Sequence, residues 1–439
     1  PATGEAASPV SAERRSGGRA PAGNAGDAPG YRPGGAGPTL ITGANEMILP
    51  RATGAIQHAP RPQRDTAPAR PYLAVVLKLT RQCNLRCRYC YAGGTGRMSE
   101  GVLVRAISEV LGLVQHADLI FHGGEPLLAG RKLLDLAVEC ERQGLRPGRS
   151  VANHIQTNAT LVDEDWIDFL IGNDFEVGVS IDGPREVNDA NRVYLDGSGT
   201  FDAIHAAVES MVGRGLSVGA LAVVTGQSIP RARQIFEFFH RSPFVGVDFL
   251  PRTCSEQGGA AIGTCGAPSP EALASFVIET FDRWMTQSSR RLTIRSLDDA
   301  MRTMMGLRPM SCGFQAARAC GRQTVTIDCD GEAYVCDDFI GVEGFGLGNI
   351  LEQGLGEPRS SDRCRTLLSK MGTLPHECTR CKWLENCHGG CTYRLGLPGE
   401  TRESLRLIPE FIRETGLKDR IIINVLQILP GVEMCHQPE

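Results

Sequence analysis

The stretch KLTRQCNLRCRYCY, residues 78–91, decides how this chain is read. It opens as the end of a short apolar, β-branched run, Ala74–Leu79, which has the pattern of a buried strand. It then breaks into a loop carrying Cys83, Cys87 and Cys90, with three residues between the first pair and two between the second. Three thiolates on one short loop suit three irons of a [4Fe–4S] cube, leaving one iron open for a ligand that is not protein. A zinc knuckle needs four ligands, and no nearby His or Cys completes such a set.

Working outward from that loop, the hydrophobic spacing alternates between two periods. It predicts strands over 118–121, 154–157, 176–181, 217–224 and 246–250, and helices over 99–115, 131–143, 164–172, 201–214 and 230–240. Six strands separated by helices indicate a parallel α/β sheet or open barrel, with the chemistry in loops at the C-terminal strand ends. Thr80, His122, Asn158 and Ser180 begin four of those loops. An amphipathic helix over 270–285 closes the region. Beyond about residue 310 strands shorten, glycine rises and cysteines crowd together, the pattern of a small domain organised by metal centres. Two further helices are expected over 401–415 and 419–428.

Composition removes several function classes. The chain has 439 residues and a net charge of -4, which argues against nucleic acid as an obligatory partner. No apolar run reaches the roughly 20 residues of a membrane-spanning helix, and the N-terminal stretch has no signal-peptide pattern. With 16 cysteines and neither feature, a reducing cytoplasm and metal ligation fit better than a disulfide scaffold. Residues 1–70 stand apart: 36 of them are Ala, Gly or Pro. They read as a mostly disordered segment, or as a docking arm in which TLITGANEMIL forms a strand or hairpin.

The 78–91 stretch resembles the radical S-adenosylmethionine (SAM) superfamily motif, with the aromatic Tyr89 just before the third cysteine. Three later segments agree: His122-Gly-Gly-Glu-Pro126, Gln156-Thr-Asn158, and Ser180-Ile-Asp-Gly-Pro184 with Arg192 twelve residues beyond Ser180. The resemblance implies that Cys83, Cys87 and Cys90 hold the SAM-binding cluster. It implies that Gly123, Gly124 and Glu125 lie along the methionine edge, and that Tyr89, Asn158, Ser180 and Arg192 lie near the remainder of the cofactor. Without side chains, the two glycines would let backbone approach a ligand closely. Val223 and Val224, on strand 5, suit either core packing or an adenine face.

The distal cysteines are similar to a second signature. Cys320 is followed by Gly331 and Cys336, then by Cys378-x2-Cys381-x5-Cys387-x3-Cys391. This resembles the SPASM domain, a C-terminal extension with two auxiliary [4Fe–4S] clusters, making three clusters in all. The resemblance assigns Cys312, Cys320, Cys336 and Cys391 to one auxiliary cluster, and Cys378, Cys381, Cys387 and Cys435 to the other, with Cys364 or Cys329 as replacements for Cys435. It also marks Asp337 as the base that accepts a substrate proton.

The expected architecture is therefore an α/β chain in three parts. Residues 1–70 precede a partial (β/α)6 TIM-like radical SAM barrel over 71–305, and a small Cys-rich SPASM domain with C-terminal helices spans 306–439. The resemblance implies an enzyme that abstracts a hydrogen atom with a 5'-deoxyadenosyl radical. It points to a maturase acting on a ribosomally made precursor peptide, with an electron donor such as a flavodoxin or ferredoxin, no nucleic acid and no membrane. An intrapeptide crosslink, such as a cyclophane, is the leading expectation. Formylglycine formation of the anaerobic sulfatase-maturase type, oxidation or epimerisation of a small sugar or cyclitol, and an iron–sulfur electron-transfer or scaffold protein are the alternatives.

Overall fold

The structure, a computed structural model, describes residues 72–90, 93–252, 266–287, 292–312 and 321–371, together with 379, 380, 384, 388 and 391. The two helices expected near the C-terminus and the TLITGANEMIL segment lie outside the described residues.

One ten-stranded sheet organises the rest. Its strands are β1 (Tyr72–Thr80), β2 (His116–Gly123), β3 (Ser150–Thr157), β4 (Phe175–Ser180), β5 (Val218–Val224), β6 (Gly246–Pro251), β7 (Thr293–Ile294), β8 (Thr324–Ile327), β9 (Glu332–Tyr334) and β10 (Gly346–Asn349). Strands β1 to β7 lie side by side in chain order, all parallel. Between them run α1 (Glu100–Leu113), α2 (Arg131–Gly144), α3 (Glu164–Gly172), α4 (Arg185–Asn188), α5 (Phe201–Gly213), α6 (Ala232–Arg241) and α7 (Pro270–Thr286), and α8 (Arg295–Met304) follows β7. The six predicted strands are all present, each within a few residues of its expected bounds.

The sequence explains the local structure. In α1, Val102, Leu103, Ala106, Ile107, Val110 and Leu111 are buried at helical spacing, and the Ser99 hydroxyl caps the start by accepting from Val102 N. Asp163 caps α3 in the same way, with Glu164 and Asp165 in the first turn. Strands β2 and β5 alternate strictly between buried and half-buried positions. One face of the sheet carries the apolar core, including Leu73, Leu77, Leu79, Leu119 and Phe121. The opposite face of β1–β4 carries polar side chains among its half-buried positions, including Asp118, His122, His154, Gln156 and Ser180.

The sheet does not stop where the barrel ends. Strand β8 returns to pair in parallel with β1, Ala74 opposite Thr324 and Leu77 opposite Ile327. Strands β9 and β10 follow antiparallel. The second region is thus joined to the first strand of the barrel by continuous backbone pairing. Among the described residues no helix is long and apolar enough to cross a membrane.

Candidate active site at the strand ends

The Cys83–Cys90 loop leaves the C-terminal end of β1 and is gripped by the loops beside it. From the β2 side, Gly124 N donates to Thr80 O at 2.7 Å and Glu125 N to Gln82 O at 2.8 Å. The two glycines make this approach possible. A Cβ on Gly123 (φ 151°) would lie 2.3 Å from Thr80 O, and one on Gly124 would lie 2.2 Å from Gln82 O. Their bareness thus serves a close approach of backbone to backbone within the protein, a reason that sequence spacing did not give.

Glu125 is fully buried. Its carboxylate accepts from Thr157 Oγ1 at 2.7 Å, Asn158 N at 2.8 Å and Leu127 N at 3.1 Å. Burial pushes it up to about 7 against those donors. It ties the β2 and β3 loops together. Asn158 extends the chain of contacts, its Nδ2 donating to Asn84 Oδ1 at 2.9 Å and lying 3.8 Å from Cys83 Sγ. Ser180 Oγ accepts from Gln156 Nε2 at 2.9 Å, linking β4 to β3.

From the other side, residues 191–194 run antiparallel to the cysteine loop. Arg86 N donates to Val193 O at 2.8 Å and Arg88 N to Asn191 O at 3.0 Å. Arg192 thereby enters beside the loop, 7% exposed. Its Nε donates to Asp182 Oδ1 at 3.0 Å, and its guanidinium stands 5.5 Å over the Tyr89 ring. Tyr89 in turn donates its hydroxyl to Asp182 Oδ2 at 2.7 Å. Val223 N donates to Asp182 Oδ1 at 3.0 Å, so this one buried carboxylate gathers three donors. Burial works against the Arg192 charge, and Asp182 more than offsets it, holding the guanidinium protonated beyond its usual range.

These contacts bear on the cofactor. Among the described residues no three His, Cys, Asp or Glu side chains converge as they would on a single metal ion. The three cysteines sit instead along one loop, with Cys83 and Cys90 both near enough to Cys87 to oppose its thiolate. Burial pushes the Cys87 thiol up to about 11, while Arg192 pulls it down. A thiolate bound to iron would relieve that cost. The donor set fits a cluster with one cysteine per iron.

In the second region Gly321 N, just after Cys320, donates to Val335 O at 3.0 Å, just before Cys336. Gly331, which the signature places between those two cysteines, forms the β8–β9 turn with φ 90° and its N–H on Asp328 O at 2.9 Å. Cys312 is exposed, and Cys336 and Cys391 are half-buried. Cys320, Cys378, Cys381, Cys387 and Cys435 lie outside the described residues. Asp337 opens the short turn Asp337–Phe339, and its Oδ1 lies 2.7 Å from Lys78 Nζ.

Sequence reasoning singled out neither Asp182 nor Lys78. Asp182 sat within a quoted segment. Lys78 carried a signal of its own, as a lone cation inside the apolar strand YLAVVLKLT.

A family model described as the radical SAM superfamily matches residues 77–239, and one described as an iron–sulfur cluster-binding domain, SPASM, matches residues 319–382. The chain is 31% identical over 348 residues to the serine-type anaerobic sulfatase-maturating enzyme of Bacteroides thetaiotaomicron, covering 74% of this chain and 83% of that protein. It is 29% identical over 335 residues to the cysteine-type anaerobic sulfatase-maturating enzyme of Clostridium perfringens, covering 73% and 89%. A solved structure of native anSMEcpe with bound AdoMet and Cp18Cys peptide superposes with a TM-score of 0.70 at 27% identity, covering 81% of this chain and 99% of that one.

These relatives overturn the expectation of an intrapeptide crosslink or cyclophane, because they are sulfatase-maturating enzymes. The segments around Asn158 and from Ser180 to Arg192 brace the cysteine loop through Asn158 and Asp182.

Proposed function

Because the chain belongs to the radical SAM family of SPASM-domain enzymes, we propose that it works as an anaerobic sulfatase-maturating enzyme, oxidising a serine or cysteine of a sulfatase-derived peptide to formylglycine. The observation that carries this reading is the extent of the likeness. Identity of 31% runs over 348 residues, so it includes both the barrel and the region that follows it.

The protein is a radical SAM enzyme, and its family's cofactors are [4Fe–4S] clusters and SAM. When bound, the cluster and SAM together supply a 5'-deoxyadenosyl radical able to remove a hydrogen atom from the substrate carbon. We assign Cys83, Cys87 and Cys90 to that cluster. Gly123, Gly124, Glu125 and Asn158 are assigned to the cofactor edge, where Glu125 acts by bracing it. Ser180 is assigned to the same edge. Asp182 holds Arg192 and Tyr89 against the cysteine loop, keeping a fixed positive charge beside Cys87.

Turning a serine CH2OH into an aldehyde removes two hydrogens. After one has left as an atom, a proton and an electron remain. We assign the proton to Asp337. We assign the electron to two auxiliary clusters, one held by Cys312, Cys320, Cys336 and Cys391, the other by Cys378, Cys381, Cys387 and Cys435. Cys329 and Cys364, the replacements for Cys435, are 6% and 2% exposed and pack in the apolar core.

The test is anaerobic incubation with SAM, a reductant such as reduced flavodoxin or ferredoxin, and two peptides that differ only in Ser or Cys at the target position. Mass spectrometry should show loss of two hydrogens from serine, or exchange of hydrogen sulfide for oxygen from cysteine. An aldehyde-reactive hydrazide should then label the product. Deoxyadenosine formation with neither peptide altered would refute the reading.

A further inference from the structure

Lys78 is the one charged residue of strand β1. Its side chain is 8% exposed and lies on the face opposite the apolar Leu77 and Leu79. A buried ammonium is costly unless its donors are matched. Two acceptors from different parts of the fold meet it. Asp337 Oδ1, on the turn after β9, lies 2.7 Å from Nζ, and His122 Nδ1, on β2, lies 3.4 Å away.

His122 is arranged to accept. Gly123 N donates to Nδ1 at 2.7 Å, so the ring proton belongs on Nε2. Burial, with Lys78 beside it, lowers the ring to about 4 and keeps it uncharged. Lys78 therefore holds its charge between an uncharged acceptor in the barrel and a carboxylate in the second region. The contact sits one residue beyond the last β1–β8 backbone pair, Leu77 with Ile327. Pairing at the seam brings the Asp337 turn to the barrel, and the ammonium then fixes one carboxylate oxygen.

We infer that Lys78 is the positioning residue for the Asp337 carboxylate, reaching from the first barrel strand to hold it in register with the site, with His122 orienting the ammonium. This rests on the assignment of Asp337 as proton acceptor.

The test uses the full chain, reconstituted anaerobically, with the sulfatase-derived peptide. Peptide product, deoxyadenosine and peptide Kd are measured for Lys78→Met, Lys78→Arg, Asp337→Asn and the double variant Lys78→Met/Asp337→Asn. Lys78→Met should lower product formed per deoxyadenosine by about 10-fold or more, as a misplaced group does, with Kd unchanged. Lys78→Arg should recover part of that loss. The double variant should be no worse than Asp337→Asn alone, since both changes remove one function.

A Lys78→Met enzyme that keeps the wild-type product ratio would overturn the inference, and so would losses that multiply in the double variant. Loss of iron and deoxyadenosine together in Lys78→Met would also overturn it, because Lys78 would then be supporting the fold. The underlying assignment has its own arm. Full product from Asp337→Asn would refute Asp337 as proton acceptor whatever Lys78→Met does.

Discussion

Tyr89 reaches Asp182 across 93 positions of sequence, while Arg81 reaches Asp328 across 247. Those two contacts typify two ways of holding a loop. Around the Cys83–Cys90 loop the partners are buried and shared: one carboxylate takes three donors, and another ties the β2 and β3 loops. At the β8–β9 hairpin the hold is strand pairing supplemented by ion pairs at the rim, with Arg81 41% exposed. A buried network is costly to disturb because any orphaned group has no water to turn to. A paired strand whose Arg81–Asp328 ion pair keeps its guanidinium partly in solvent yields in smaller steps. The cysteine loop is pre-organised, and the second region is docked onto it.

That contrast can be broken by measurement. The largest effect is expected at Asp182. Asp182→Ala leaves Arg192 as a buried, uncompensated charge and should cost about 3–5 kcal/mol in anaerobic denaturant unfolding. A loss below about 1 kcal/mol would show that the network tolerates a missing member.

Next comes the opposite end of the same strands, where His154 lies 3.2 Å from Glu176 and 3.9 Å from Asp118, which also receives the Tyr72 hydroxyl. Burial opposes the charge, but the two carboxylates raise His154 from 6.5 to about 9. A folded value above the unfolded one means the stabilisation is complete below pH 6.5 and lost as pH rises through about 9. Wild type should lose about 2 kcal/mol over that window relative to His154→Gln. Parallel profiles for the two proteins would remove His154 from the account.

The smallest effect is expected at the seam. Asp328→Ala deletes the partner of a half-exposed Arg81 and the acceptor of Cys329 N at 2.7 Å. It should cost about 1 kcal/mol and speed amide exchange in β8. A cost matching that of Asp182→Ala would erase the distinction between the two regions.

The barrel was legible because its signals are local. Strands such as β1 and β5 are short runs rich in apolar residues, helices α1 and α3 are apolar stripes capped by Ser99 and Asp163, and the cysteine spacing lies within eight residues. The return of β8 to β1 was not legible, since nothing in TVTI says which strand it joins. Strand β7, two residues long, was too short to leave a period. Segments around the cofactor could be located, but not the partners within them. At Gly123 and Gly124 the glycine spacing did not show that Thr80 O and Gln82 O are the groups approached. The expected crosslink gave way to sulfatase maturation only on comparison with whole relatives.

The parallel pairing of Ala74 with Thr324 also sets a timetable for synthesis. The first barrel strand emerges from the ribosome about 250 residues before the strand that covers its edge. Until then its outer row of N–H and C=O groups is bare, the kind of edge that recruits other chains. During that interval the loop beside it already carries its three thiols, while Arg81 and Lys78 have yet to meet Asp328 and Asp337. The order of the chain therefore completes the Cys83–Cys90 loop well before the seam closes.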